Sequence, residues 1–311
     1  MKIIKGLKNI RGIKGGSIVT IGVFDGVHMG HQHIIRKVVK RARDIKAKSV
    51  VLTFDPHPLK VLAAGSFVPS LISLKHKTRL IEALGADYLA IISFTKRFSM
   101  VSPKAFAKRI LVDKLSLKEI YVAEDFYFGR NAKGDIALLK GFGKDLNFKV
   151  RIVKPVKKGP VIVSSSVIRR LILNGEIAKA SKFLGRPVTV LGTVVRGFRR
   201  GRILGFPTAN INPHHEVIPP PGVYAVRVDY KDRRFEGVLN IGKRPTFFSG
   251  GKDIEPTIEV HIFDFNKKIY GEDIELIFVK KIRDEKRFRE MSGLSAEIKR
   301  DAQTARALLL G

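Results

Sequence analysis

The sequence has 311 residues, which is more than one hydrophobic core usually organises, so we expect two domains. Hydrophobic residues make up 44% and charged residues 28%, which excludes a disordered chain, and the lack of cysteine excludes disulfides, thiolate metal sites and a cysteine nucleophile. The net charge of +31 points to an anionic partner, namely nucleic acid, a membrane surface or a phosphorylated metabolite.

The first part of the chain alternates short β-branched runs with amphipathic segments. Predicted strands cover residues 18–24, 50–54, 88–94, 120–123 and 150–156, and predicted helices cover residues 34–43, 77–84, 103–115, 137–146, 167–173 and 176–184. Continuous apolar strands that alternate with helices imply a parallel sheet with helices on both faces. We therefore predict a doubly wound α/β domain over residues 1–183.

After residue 184 the strand-like runs follow one another without helices between them. They cover residues 188–195, 223–229, 235–241, 257–265 and 274–279, and one helix is predicted at residues 295–310. Turn-forming segments separate the runs, and apolar residues alternate with polar ones along them. This pattern predicts a small antiparallel barrel or sandwich over residues 184–311.

A glycine-rich segment, residues 22–31, joins the first strand to the first helix. The backbone N–H groups and the positive end of a helix favour an anion there, and Gly26 permits close approach of phosphate oxygens. His28 and His31 are three residues apart, so both project to one side of the first turn and can donate to phosphate together. A zinc site is disfavoured, because helical zinc pairs prefer four-residue spacing and no third ligand follows nearby.

The His-x-Gly-His pattern resembles the nucleotidyltransferase superfamily that shares its motif with class I aminoacyl-tRNA synthetases. Residues 53–58 (TFDPHP), 122–129 (VAEDFYFG) and 164–169 (SSSVIR) all follow predicted strands, where ligands of parallel sheets bind. With these segments the chain is similar to the adenylyltransferase half of the bacterial bifunctional riboflavin kinase/FAD synthetase family. It departs from that pattern at Ala123, where glycine is expected, and at Ser166, where threonine is usual.

The resemblance implies a Rossmann-like nucleotidyltransferase domain and a set of substrate contacts in it. The implied ATP contacts are Gly22, Phe24, Asp25, Gly26, His28, His31, Ser164, Ser165 and Arg169. The implied flavin contacts are Asp55, Pro56, His57 and Asp125. His28 and His31 would stabilise charge while the phosphate of FMN attacks the α-phosphorus of ATP and pyrophosphate leaves.

A second glycine-rich and basic segment, residues 192–210, lies in the predicted β domain. It is not a Walker loop, because no Gly-Lys-Ser/Thr opens a helix, and a tight barrel corner is the plain alternative. Thr208 and Asn210 carry hydroxyl and amide oxygens two positions apart, which are hard ligands that Mg²⁺ accepts. Further on, Glu259 alternates with Ile258 and Val260, so it lies on the opposite face of its strand.

This half resembles the riboflavin kinase family, whose Gly-x-Pro-Thr-Ala-Asn motif is complete at residues 205–210, so the resemblance implies a β-barrel with a C-terminal helix. The implied ATP contacts are Gly192, Gly197, Gly201, Arg202, Gly205, Pro207, Thr208 and Asn210, with Mg²⁺ on the last two. Asn240 and Arg283 are the implied flavin contacts, although Arg283 could instead be a surface charge on a helix. Glu259 would be the general base for the ribityl 5′-hydroxyl as it attacks the γ-phosphorus.

We therefore predict an enzyme that makes FMN from riboflavin and ATP, then FAD from FMN and a second ATP. One alternative is a relative with a single working half, and another is a nucleic-acid binder that uses the basic surface, for which charge is the only support. No apolar run approaches the roughly 20 residues of a membrane span, and residues 1–16 lack a secretory apolar block. We expect a cytoplasmic protein without a membrane partner, and the sequence does not indicate its oligomeric state.

Overall fold

The computed structural model describes residues 1–62, 68–197, 205–245, 254–286, 288 and 290–310, with side chains at all of these except 243–245, 254–256 and 291. The chain forms two compact units, Met1–Pro69 with Leu74–Ser165, and Ser70–Ser73 with Ser166–Gly311. Residues 166–184 therefore group with the second unit. The predicted functional boundary between residues 183 and 184 stays a prediction, since compactness and function need not change at the same residue.

The first unit is built on a six-stranded parallel sheet. Its strands are β1 (Lys2–Lys5), β2 (Ser17–Ile21), β3 (Lys48–Asp55), β4 (Tyr88–Ser93), β5 (Leu117–Ala123) and β6 (Lys149–Val153). In space they lie in the order β1-β4-β3-β2-β5-β6, and every neighbouring pair is parallel. The chain order reverses between β2 and β5, which is where ligands of such sheets bind.

The five predicted strands are present, and β1 is an additional one. Its sequence, Lys-Ile-Ile-Lys, has only two apolar residues, and three of its four residues are exposed. Among the described strands it is an edge strand that pairs with β4 alone, so its formation depends on a partner more than 80 residues away. The sequence of β1 by itself therefore gives only a weak strand signal.

Helices pack against the sheet. Four of them overlap the helices predicted at residues 34–43, 77–84, 103–115 and 137–146, whereas two short ones, at residues 58–62 and 96–99, were not predicted. The helices are α1 (Met29–Asp44), α2 (Pro58–Leu62), α3 (Leu74–Ala83), α4 (Lys96–Ser99), α5 (Pro103–Ala105, continued by the π-helical Phe106–Val112) and α6 (Ile136–Asp145). The hydroxyl of Ser102 accepts from the backbone N–H of Ala105, so it caps α5 just before Pro103. Leu111 and Leu139 pack in the same core as the sheet residue Ile120, and all three are fully buried.

A short hairpin and two helices follow the sheet. The hairpin is β7 (Lys157–Lys158) with β8 (Val161–Ile162), and the helices are α7 (Ser165–Leu173) and α8 (Ile177–Leu184). Both helices were predicted from their apolar spacing. The hairpin was not, because its two-residue strands carry no periodic signal.

The second unit contains a closed antiparallel barrel, which confirms the barrel and excludes the sandwich. Its strands are β9 (Thr189–Val195), β10 (Ala209–Pro213), β11 (Gly222–Tyr230), β12 (Arg233–Pro245), β13 (Ile254–Ile262) and β14 (Asp273–Arg283). They close in the order β10-β13-β12-β11-β14-β9. Strand β10 was not predicted, since its sequence Ala-Asn-Ile-Asn-Pro is rich in residues that strands disfavour.

The last helix, α9 (Met291–Leu310), packs on the outside of the barrel. Ala305 and Leu309 of α9 are buried against Val223 and Ala225 of β11. In the part of the chain that the structure describes, no helix is long and apolar enough to cross a membrane.

Candidate active sites

The turn between β2 and α1 brings its backbone close to the carboxyl end of the sheet. Phe24 adopts the left-handed conformation with φ of 52°, and Gly26 has φ of 81° within the short 3₁₀ turn Asp25–Val27. The ring of Phe24 folds back over Gly22, where a Cβ would lie only 3.1 Å from it. The structure therefore brings the predicted residues Gly22, Phe24, Asp25 and Gly26 into one tight turn at the start of α1.

His28 and His31 stand together at the start of α1. His28 is the N-cap residue, and its Nδ1 accepts from the backbone N–H of His31 at 3.4 Å. The two rings are stacked with centroids 3.6 Å apart, and the Phe24 ring meets His31 edge-on at 5.1 Å. Because Nδ1 of His28 accepts, the neutral ring carries its proton on Nε2. The predicted common side of the two histidines is what the structure shows.

Burial makes both histidines neutral at ordinary pH. It lowers the pKa of His28 to about 4. The pKa of His31 lies well below its usual value, first because of burial and then because of the nearby charges of His28 and Lys77. Among the described residues, the buried Nδ1 of His31 has no hydrogen-bond partner. The pair therefore offers imidazole N–H donors and not positive charge.

A lysine that the sequence analysis did not single out lies in the same place. Lys77 of α3 is 7% exposed, and its Nζ donates to the carbonyl of Val23 at 2.7 Å. Burial lowers its pKa, while Asp25 and Asp55 act in the opposite direction. The available sequence signal was its position four residues before the buried Ile81, since a lysine on the apolar face of a helix is unusual.

The start of α7 is tied to the same turn. The hydroxyl of Ser165 donates to the carbonyl of Asp25 at 2.9 Å. Gly30 of α1 lies close to the same segment, because a Cβ there would be 3.8 Å from the carbonyl of Val163. Ser164 immediately precedes α7, and Arg169 lies one turn into it.

The predicted flavin contacts follow β3 and β5. Asp55 is the last residue of β3, and Nδ1 of His57 accepts from the backbone N–H of Leu59 at 3.1 Å just before α2. Asp125 comes two residues after the end of β5. Ala123, which departs from the family pattern, is the last residue of β5 and lies outside the positive-φ positions, so no glycine is needed there.

Phenylalanines that the sequence analysis missed lie at these strand ends. Phe54 of β3 meets Phe94, which follows β4, edge-on at 5.6 Å. Phe98 of α4 extends the group, 5.6 Å from Phe94. After β5, the rings of Phe126 and Phe128 are stacked at 5.6 Å. The sequence signal was the recurrence of phenylalanine near the ends of three successive parallel strands, within β3 and after β4 and β5.

In the second unit, strand register brings three polar residues side by side. Asn210 of β10 lies opposite Glu259 of β13, and Glu259 lies opposite Asn240 of β12. Directly opposed residues project to the same face of a sheet. Ile258 and Val260 are buried inside the barrel, so Glu259 and its two neighbours are on the outer face. The predicted alternation of Glu259 with its apolar neighbours agrees with this register.

The Pro-Thr-Ala-Asn segment is held against β13 by a histidine. The carbonyl of Pro207 accepts from Nδ1 of His261 at 2.8 Å, and the Phe206 ring lies edge-on to that histidine at 5.5 Å. His261 is two residues beyond Glu259, so the two share a face of the strand. Its position next to the predicted base was the only sequence signal for it.

Glycines of the second motif make room for their neighbours. A Cβ at Gly197 would clash with the side-chain amide of Asn210, and a Cβ at Gly192 would lie 2.6 Å from the carbonyl of Asn212. Gly205 has φ of 80°, which favours glycine. The predicted contacts Gly201 and Arg202 lie outside the described residues.

Arg283 is engaged by the last helix. It ends β14, so the alternative of a helical surface position is wrong. Its guanidinium donates to both carboxylate oxygens of Asp301 at 2.9 and 2.7 Å and lies 3.4 Å from Glu297. Both carboxylates are on α9. A flavin contact of Arg283 stays a prediction.

The chemistry of the oxygen donors suits a hard cation. Thr208 and Asn210 offer hydroxyl and amide oxygens, and Glu259 stands opposite Asn210 in the register. Mg²⁺ prefers such oxygens and is held by one or two protein ligands together with substrate phosphates. Among the described residues, no cluster of three or more His, Asp or Glu side chains suits a metal ion.

Comparison with known proteins decides the family. The FAD synthetase family model matches residues 11–167, and the riboflavin kinase family model matches residues 184–309. A bifunctional riboflavin kinase/FMN adenylyltransferase of Buchnera aphidicola is 38% identical over 305 residues, which cover 97% of this chain and 97% of the relative. The chain belongs to the bifunctional riboflavin kinase/FMN adenylyltransferase family.

Other relatives in this bifunctional family also match over nearly the full chain. The proteins of the same description from Escherichia coli (strain K12) and Bacillus subtilis (strain 168) are both 36% identical, covering 98% and 93% of this chain and 97% and 91% of the relatives. A crystal structure described as a macrolide-efflux protein from Streptococcus pneumoniae has a TM-score of 0.86 at 31% identity and covers 98% of this chain and 99% of that one.

These matches confirm the predicted family, the order of the two domains and the fold class. A FAD synthetase domain and a riboflavin kinase domain are both present. The matches therefore favour the bifunctional enzyme over a relative with a single working half.

Proposed function

We propose that the barrel unit phosphorylates riboflavin to FMN with ATP, and that the α/β unit then joins FMN to the AMP part of a second ATP. The observation that carries this proposal is that each unit contains its own group of polar residues. His28, His31 and Ser165 meet within the first unit, and Glu259 lies beside Asn210 within the second. Two separate groups of polar residues on one chain are what two successive reactions require.

In the first unit, the phosphate oxygen of FMN attacks the α-phosphorus of ATP, and the bond from that phosphorus to the pyrophosphate oxygen breaks. His28 and His31 act as neutral N–H donors to the phosphate oxygens, supported by the positive end of α1. Ser164 and Ser165 contact the departing phosphates, whereas a phosphate contact of Arg169, which groups with the second unit, stays an expectation from the family resemblance. The protein mainly positions the two substrates and compensates their charge.

The flavin of FMN binds at the ends of β3 and β5. Asp55, Pro56, His57 and Asp125 supply its polar contacts, and the phenylalanines after these strands supply an apolar surface for the ring system. This placement is supported by the position of all these residues at the carboxyl edge of the parallel sheet.

In the second unit, Glu259 accepts the proton of the ribityl 5′-hydroxyl as that oxygen attacks the γ-phosphorus of ATP. Thr208 and Asn210 would hold Mg²⁺, which supplies charge neutralisation for the triphosphate when bound. The glycines at 192, 197 and 205 and Pro207 shape the backbone beside the nucleotide. Asn240, opposite Glu259, orients the flavin chain.

Product analysis tests the proposal directly. Purified protein incubated with riboflavin, ATP and Mg²⁺ is expected to form FMN and then FAD, as separated by chromatography. Glu259→Gln should abolish FMN formation while FAD still forms from supplied FMN, and His31→Ala should have the opposite effect. Glu272→Gln and His33→Ala, at exposed positions, serve as matched controls. Loss of both reactions in either folded variant would contradict separate sites.

A further inference from the structure

Of the residues implied above to contact ATP in the adenylyl-transfer site, Arg169 is the one with a full positive charge, and it groups with the second unit, so no member of that set in the first unit is cationic. FMN and ATP are both polyanions, and their phosphates must approach each other for the reaction. His28 and His31 are neutral, because burial holds their pKa values well below ordinary pH. Imidazole N–H groups donate hydrogen bonds to phosphate, but they do not cancel its charge.

Among the described residues of the first unit, Lys77 is a buried cation whose charge acts on His31. Lys77 lies on α3, which packs against the turn Asp25–Val27. Its positive charge lowers the pKa of His31, and the carboxylates of Asp25 and Asp55 favour its own charged form. Its Nζ donates to the carbonyl of Val23, two residues before Asp25. Lys77 therefore contacts the turn where the phosphates are proposed to bind.

The hydrogen bond to Val23 does not by itself explain a buried lysine. The same carbonyl also accepts from the hydroxyl of Thr53 at 3.1 Å, so it stays satisfied without Lys77. An ammonium has three donors, and the carbonyl uses one of them. Burying an ammonium is unfavourable unless charge partners compensate for the lost water, and an anionic substrate would add such a partner.

We propose that Lys77 is a further residue of the adenylyl-transfer site, whose ammonium supplies the fixed positive charge that the phosphates need beside His31. This inference rests on the proposed function of the first unit. It assigns the two tasks of the site to different residues, with hydrogen-bond donation from the histidines and charge compensation from the lysine. A fixed charge in a buried site acts more strongly than one in water.

Substitution tests the charge. Lys77→Met should lower kcat for FAD formation from supplied FMN on the order of 100-fold, the effect of removing one transition-state donor. It should also raise the inhibition constant of pyrophosphate, while FMN formation by the barrel stays at the wild-type rate. Arg79→Met removes an exposed positive charge from the same helix and should leave both rates unchanged.

Chemical restoration separates charge from hydrogen bonding. The chain has no cysteine, so Lys77→Cys introduces a single thiol. In the unfolded chain, its thiolate displaces bromide from 2-bromoethylamine to give an aminoethyl thioether, or from 2-bromoethanol to give a neutral hydroxyethyl thioether. After refolding, judged by kinase activity and melting temperature, the aminoethyl form should regain FAD synthesis and the hydroxyethyl form should not.

Three results would overturn the proposal. They are wild-type FAD synthesis in Lys77→Met, equal recovery with the two thioethers, and an unchanged inhibition constant for pyrophosphate. If Lys77→Met does not fold, the comparison of the two thioethers decides between charge and hydrogen bonding. Failure of the wild-type protein to make FAD would instead contradict the proposed function of the first unit, so the two failures are distinguishable.

Discussion

At the start of α1, burial decides what the two histidines contribute. A histidine in water is partly charged near pH 6.5, whereas the pKa of His28 is lowered to about 4 in this site. The Nδ1 atom of His28 is engaged by the backbone, which leaves Nε2–H as its donor. A stacked pair of neutral rings suits the recognition of phosphate oxygens, and protonation does not compete with it near neutral pH.

In the barrel, we expect His261 to position the segment that begins at Pro207. His261→Ala removes the hydrogen bond that holds Pro207, a contact that contributes about 0.5–1.5 kcal/mol. We expect kcat for FMN formation to fall about 2- to 10-fold, with partial recovery in His261→Asn, whose amide N–H replaces Nδ1–H. Steady-state kinetics of both reactions measure this change in kcat. An equal fall of kcat for FAD formation would contradict a role confined to the barrel.

At the scale of elements, the sites depend on where strands end and helices begin. The turn after β2, the loops after β3 and β5 and the start of α7 all carry predicted contacts, because parallel strands deliver their carboxyl ends to one edge. In the barrel, the register of the antiparallel strands brings the predicted contacts together. Asn210, Glu259 and Asn240 come from three different strands and meet because those strands pair at these residues.

The contact between β14 and α9 gives a prediction about stability. Asp301→Ala leaves the guanidinium of Arg283 without its bidentate partner, and removing one member of a buried pair destabilises a protein by about 3–5 kcal/mol. Glu297 remains 3.4 Å away, so we expect a smaller loss, about 2 kcal/mol.

Denaturation of the full chain in urea measures the effect as a lower midpoint for the transition of the barrel unit. Asp264→Asn is the matched control, because its ion pair with Arg306 is largely exposed and should contribute little. A fall of the same size in both variants would contradict a special role for the pair of Arg283 with Asp301.

At the scale of the whole molecule, the two parts of the chain differ in charge as they differ in substrates. Residues 1–183 carry 36 basic and 12 acidic side chains, and the remainder carries 23 and 16. The first part is proposed to bind FMN and ATP, which are both anionic, whereas the second binds neutral riboflavin and one nucleotide. An excess of positive charge attracts anionic substrates over a distance that salt shortens.

This difference predicts unequal salt dependence. The KM for FMN in FAD formation should rise several-fold from low to physiological ionic strength, while the KM for riboflavin in FMN formation should change little. Kinetics at saturating ATP and Mg²⁺ measure both values on the same preparation, so each reaction is the control for the other. If the KM values for FMN and for riboflavin rose by the same factor, the charge excess would be unrelated to the substrates. A salt titration of binding to random duplex DNA would then test the nucleic-acid alternative.

The sequence by itself determined the features that local patterns encode. Apolar periodicity predicted the α/β half and the β half, and the spacing of His28 and His31 predicted their common side. Glu259 was predicted to lie opposite its apolar neighbours, and its register agrees. In each of these cases the signal lies within a few residues, because helix and strand geometry directly sets which side chains share a face.

Only the tertiary structure decided the features that depend on distant partners. Strands β1 and β10 form through pairing with strands far along the chain, Arg283 is engaged by Asp301 of the last helix, and Lys77 is buried beside residues of the nucleotide turn. The state of a buried histidine or lysine depends on the water and charges around it. Those surroundings come from segments that meet only when the chain folds, so no local pattern contains them.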